Sequence, residues 1–133
     1  MRITLGTAQT EIPDGWADSS VLQFTGPAED GTPAPMIVVT RSEPAKESFN
    51  VLLDQQLAVL EDTMVDFREL KRFTDGSATV AEYRFGDSPP LGQLLGLRDV
   101  AGVVFIVTAT APIDSFDEYR DAFLNVLRAL EAA

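Results

Sequence analysis

The nine residues Val103 to Ala111, VVFIVTATA, constrain this chain more than any other stretch. Six of the nine are β-branched, so the segment favours a strand over a helix. Ala101-Gly102 precedes it as a turn, and Pro112 ends it. Its apolar residues do not alternate cleanly with polar ones. A strand of that kind belongs in the middle of a sheet with cover on both faces.

The rest of the chain supplies neighbours for such a strand. Arg2 to Ile12 reads as a first strand, with Ile3 and Leu5 alternating against polar residues. Pro13-Asp14-Gly15 is a turn signal. Asp18 to Thr25 alternates, with Leu22 and Phe24 on one face and Val21 and Gln23 on the other. Gly26 to Pro35 holds three of the eight prolines and reads as a hairpin connection. Met36 to Arg41 is a β-branched strand, stopped by Pro44. Phe67 to Phe73 and Ser77 to Phe85 flank Asp75-Gly76, a strong hairpin signal. Leu91 to Val100 is a further strand, weakened by Gly92 and Gly96.

Two stretches change period. From about Ala45 to Met64, the residues Phe49, Leu53, Leu57, Leu60 and Met64 recur at helical steps and form one apolar face. Near the end, Phe116, Tyr119, Phe123, Leu127 and Leu130 form a second stripe. Ser115 to Glu118 has the form of a capping box before it. The order βββ-α-ββββ-α with hairpin-length loops predicts an α+β domain over residues 1–133: one antiparallel sheet with two helices packed on it. Leu91, Leu94, Leu95 and Leu97 put leucines on both sides of one strand. Two helices do not obviously cover both faces, and surplus apolar surface would serve as a dimer interface or a binding groove.

Composition then removes whole classes of function. There is no Cys and no His among 133 residues. That excludes disulfides, thiol nucleophiles, Cys or His zinc sites and Ser-His triads. The formal net charge is −11. Nucleic acid and anionic membrane surfaces are therefore poor partners. No apolar run reaches the ~18 residues of a membrane helix. The N-terminal residues, with one Arg and no apolar core, do not read as a secretory signal, so a cytoplasmic location is expected.

Positive chemical signals are few. Gly92-Gln-Leu-Leu-Gly96 lacks the lysine of a phosphate loop. Asp114, Asp117, Glu118 and Asp121 cluster, but a negatively charged helix start explains them more simply than a metal. No catalytic residue, metal or cofactor is expected.

The order of motifs carries a resemblance. Ile12-Pro13-x-Gly15-Trp16-x-Asp18-x-Ser20-Val21 is followed by Val39-Thr40-Arg41, then Leu53-Asp54-Gln55-Gln56-Leu57. Thr108-Ala109-Thr110-Ala111-Pro112 then leads to Phe116 and Tyr119. This set resembles the DcrB/PsbP-like fold family and, within it, the Eag chaperones associated with type VI secretion effectors. The resemblance implies a curved antiparallel sheet of six to seven strands in a homodimer. Its apolar surface would shield the N-terminal transmembrane helices of an effector before export, with no membrane insertion of its own. Under that reading Val21, Gln23, Val39, Gln56, Leu95 and Leu97 are candidates to contact the client, with Gln23 and Gln56 offering amides. Pro13, Gly15, Trp16 and Asp18 are expected to shape the turn that leads into the strand. The competing expectation is a non-catalytic accessory or scaffold protein that binds a folded partner through its acidic surface.

Overall fold

A computed structural model of the chain describes residues 1–17, 19–28, 31–42 and 46–132, with the side chains of Ile3 and Leu5 outside that description. Asp18 and Pro44 lie outside the described residues. Among the described residues, eight strands and two helices follow in the order ββββ-α-ββββ-α. They are β1 (Arg2–Leu5), β2 (Ala8–Glu11), β3 (Leu22–Thr25), β4 (Met36–Ser42), α1 (Phe49–Thr63), β5 (Arg68–Asp75), β6 (Ala78–Phe85), β7 (Leu91–Val100), β8 (Val103–Pro112) and α2 (Phe116–Arg128). β3 to β8 form one antiparallel sheet in the order β3-β4-β8-β7-β6-β5. The fold is α+β, as the patterning implies.

The expected first strand is in fact a separate hairpin. Gly6, at φ +59°, turns the chain so that β1 pairs with β2. A left-handed residue cannot continue a strand, and glycine adopts it at little cost.

The β-rich run becomes β8, inside the sheet between β4 and β7. Its two faces meet different partners. In an antiparallel sheet, directly opposed residues share a face. Val107 and Ala109 lie beside Val39 and Ile37 of β4 and pack with Phe116, Phe123, Leu124 and Leu127 of α2. Ile106 lies beside Leu97 and packs into a second cluster with Leu53 and Leu57 of α1. The two helices therefore occupy opposite faces. The leucines of β7 divide accordingly: Leu94 meets α2, while Leu95 and Leu97 meet α1.

The glycines that weaken β7 as a sequence signal are where α2 comes closest. A Cβ on Gly92 would sit 2.7 Å from the Phe116 ring, and one on Gly96 would sit 2.6 Å from Leu127 Cδ2. The absent side chains let the helix lie directly on the strand.

Helix ends are satisfied in ways only partly visible beforehand. α1 starts at Phe49, with Ser48 Oγ accepting from the Val51 N–H at 3.3 Å. The capping box at α2 does not form: Ser115 makes no side-chain cap, and its hydroxyl donates back to the Pro112 carbonyl at 3.3 Å. The other end of α2 is held from the sheet. Arg98 Nη1 donates to the carbonyls of Leu127 and Arg128, each at 3.0 Å, and to that of Leu130. A cation there meets both the orphan carbonyls and the negative end of the helix dipole.

Among the described residues, no helix is long and apolar enough to cross a membrane.

Candidate functional site

The α1 face of the sheet is only partly covered. α1 packs over β6 and β7 through Leu53 and Leu57, which meet Ala81, Tyr83, Leu95 and Leu97. Beyond it the same face continues across β8, β4 and β3. The register gives successive rows: Thr110 beside Met36 and Thr25, Thr108 beside Val38 and Gln23, and Ile106 beside Thr40. Val104 and Ser42 form the next row. No residue of these rows is charged, in a chain of formal net charge −11. They offer methyl groups, threonine hydroxyls and one amide.

Where this shelf meets α1 there is a cleft of about 540 Å³. Its floor is Leu95, Leu97, Val104, Ile106 and Thr108, and one wall is Leu52 and Gln56. Thr40 and Ser42 lie on the other side, and Lys46 and Glu47 stand at the rim.

The six candidate contact residues are brought together in part. Gln56, Leu95 and Leu97 share the cleft. Gln56 is exposed, while Leu95 and Leu97 are also core residues beneath α1. Gln23 is exposed on the same face, two strands away from Thr108. Val21, just before β3, is 55% exposed. Val39 points to the opposite face, where it is buried in the α2 cluster.

The leading turn is made largely by backbone. The Trp16 N–H meets the Pro13 carbonyl at 3.4 Å, and Gly15 holds φ +84° between them. The Trp16 side chain is 67% exposed, so packing does not hold it.

A polar chain under this face escapes the sequence reading. Tyr83 Oη donates to Gln93 Oε1, and Gln93 Nε2 donates to Thr110 Oγ1 at 2.7 Å. Burial pushes the Tyr83 phenol well above its ordinary value, because the phenolate would lose its hydration. The neutral Tyr83 hydroxyl thus keeps the proton that it donates to Gln93 Oε1. The available signal was a lone Gln in a leucine-rich strand, which reads from sequence as an ordinary alternation.

Apart from Lys46 and Glu47 at the rim, charged groups such as Arg72 and Arg120 pair away from the shelf. Arg72 bonds Asp54 of α1 at 2.8 Å and Glu69 at 3.1 Å, and these bonds, Asp54 first, raise its pKa further. Of the acidic residues at the start of α2, Asp117 is engaged by Arg120 Nη1 at 2.7 Å.

The comparisons with known proteins agree with this architecture. The family model of DcrB matches residues 8–129. Among solved structures, PA94 from Pseudomonas aeruginosa, a protein of unknown function, is similar at a TM-score of 0.74 and 21% identity; the match covers 100% of this chain and 96% of that one. CyanoP, the cyanobacterial PsbP of Synechocystis sp. PCC 6803, is similar at a TM-score of 0.54 and 13% identity, covering 90% and 96%. The Saccharomyces cerevisiae Ran-binding protein Mog1p is similar at 0.51 and 12%, covering 85% and 69%. At these identities the likenesses show a shared fold. No curated protein matches the sequence.

Proposed function

The chain belongs to the DcrB family, and from that premise we propose that it is a non-catalytic binding protein whose open sheet face shields an apolar helix of a client. The client, in this reading, is a type VI secretion effector with N-terminal transmembrane segments, held in the cytoplasm before export. One observation carries the proposal: an uncharged shelf of β8, β4 and β3 beside α1, in a strongly acidic protein.

The dimensions suit a helix. Three strands at ~4.8 Å spacing put roughly 10 Å between the outer two, close to the ~10 Å diameter of one helix. A helix there would lie in the layer α1 already occupies. A membrane helix in water exposes roughly 20 apolar residues, and covering it returns about 25 cal/mol per Å² buried. Threonine hydroxyls and the Gln23 and Gln56 amides can meet polar groups within such a segment. The surrounding negative charge would keep the loaded complex soluble.

Affinity capture of the tagged protein from its own cells, with mass spectrometry of what co-purifies, tests the proposal. A stoichiometric secreted protein with N-terminal apolar segments supports it. A second reading rests on the net charge of −11, which favours a folded, basic partner. Under that reading the captured partner lacks apolar segments, and its binding weakens steeply with salt.

A further inference from the structure

The sheet face opposite the shelf gathers cations at its β5–β6 end. Directly opposed residues of an antiparallel pair share a face. Arg68 lies opposite Arg84, and Lys71 lies opposite Glu82. Val80, Glu82 and Arg84 alternate onto one side of β6, and Val80 packs in the α2 cluster. These residues therefore lie on the α2 face. Arg120 of α2 reaches the same place through its bond to Glu82. Four of the ten basic residues thus meet on one side of one strand pair, in a chain of net charge −11.

The carboxylate among them is already engaged. Glu82 Oε1 accepts from Arg120 Nε at 2.6 Å, and Oε2 lies 3.4 Å from Lys71 Nζ. Both oxygens face cations other than Arg84. Asp117 is likewise held by Arg120, at 2.7 Å. Among the described residues, neither Arg68 nor Arg84 makes an ion pair or a side-chain hydrogen bond. Asp66 and Asp87 are near them in sequence and pair with neither. Like charges directly opposite one another destabilise a sheet. The chain has 21 acidic residues that could neutralise this pair, yet it stands unneutralised.

We propose that Arg68 and Arg84 form a binding site for a phosphate group, on the face away from the shelf and independent of what the shelf binds. Side chains from two directly opposed residues can converge on one ion, and each guanidinium offers a planar fork of donors. One fork satisfies a carboxylate, whereas the tetrahedral oxygens of a phosphate can accept from two. A phosphate dianion also offsets both charges at once. The ligand is compact. A net charge of −11 repels an anionic polymer or membrane surface, while a small ion feels mainly the two arginines it touches. Lys71 and Arg120 support the site indirectly, because by holding Glu82 they keep its charge from cancelling that of Arg84.

The test is a titration of the full chain with inorganic phosphate against sodium chloride of equal ionic strength, following the arginine Nε–H signals by NMR. The expected result is a saturable shift at Arg68 and Arg84 and none at Arg72, which Asp54 and Glu69 already hold. Acetate at the same ionic strength should move the two signals less. Arg84→Gln should abolish the shift at Arg68 and leave Tm equal or higher, because it removes the like-charge contact. Glycerol phosphate in place of the free ion identifies the source. Tighter binding than inorganic phosphate supports the site as one for an esterified phosphate, and equal or weaker binding supports it as one for the free ion. A linear drift shared by all the arginines overturns the proposal. So does an equal response to acetate, or an Arg68 signal that still saturates in Arg84→Gln. The titration of the unmodified protein decides the matter even if that variant fails to fold.

Discussion

Arg120 Nε donates to Glu82 Oε1 at 2.6 Å, joining α2 to a carboxylate that is 1% exposed. Lys71 Nζ, 3.4 Å from the other oxygen, is the second cation on this carboxylate. The Arg120 guanidinium also lies 5.3 Å from the Phe116 ring centroid. Its hydrogen bond to Glu82 is the largest cause that raises the Arg120 pKa. Arg120→Ala leaves the buried charge to one longer pair. Breaking a buried pair typically costs about 3–5 kcal/mol, and the partial exposure of Arg120 and the remaining Lys71 place this one nearer 2–3 kcal/mol. Thermal melts should show a Tm lower by roughly 5–15 °C. The double change Glu82→Met with Arg120→Leu should lose less than Arg120→Ala alone.

Gly92→Ala should be worse than Gly96→Ala. The new Cβ at 92 meets ring carbons of Phe116 at 2.7 and 2.9 Å, and an aromatic ring cannot bend aside. At 96 it meets mainly the tip of Leu127, which can change rotamer. Overpacking of this kind costs about 1–3 kcal/mol, with Gly92→Ala toward the upper end and Gly96→Ala toward the lower. Urea titration of the two variants gives the ranking directly.

Alkaline stability should depend on Tyr83. Burial holds its pKa above the ordinary 10.0, so the folded state keeps a proton that the unfolded chain releases. The stabilisation is therefore complete below pH ~10 and falls as pH rises above that value, because the folded form then binds more protons. Tyr83→Phe removes the dependence and also frees the Gln93 amide. Its melts should start lower at neutral pH and lose less between about pH 9.5 and 11 than those of the unmodified chain.

Val21→Glu and Leu95→Ala separate contact from support. Val21 is 55% exposed, so the change should alter stability by no more than the ~0.5 kcal/mol typical of surface sites while weakening client binding. Leu95 is 5% exposed beneath α1, so truncation should cost about 2–5 kcal/mol whatever the protein binds. A loss of binding in Leu95→Ala thus carries meaning only beside its melting curve.

Much of the fold could be read from local pattern because each strand and helix reports its own period. Leu91–Val100 and the turn at Ala101-Gly102 stand where the sequence suggests, with Ala101 and Gly102 both at positive φ. The hairpin at Gly6 is not legible in the pattern, because a single glycine in an alternating run signals a bulge as easily as a turn. The placement of one helix on each face was not legible, since a stripe shows that a helix is buried but not against which side of a sheet. The same limit applies at the site. Alternation correctly separates Gln23 from Leu22 and Phe24. Nothing local says that Val39 faces α2 or that Gln93 links Tyr83 to Thr110, because both depend on strand register.

The most direct measurement is an exchange-protection map of the protein with and without a peptide carrying one uncharged apolar helix of ~20 residues. The account predicts added protection at Val38, Ile106 and Thr108, and loss of that protection in Thr108→Lys at unchanged Tm. Protection confined to the α2 face, or binding unaffected by Thr108→Lys, would contradict it.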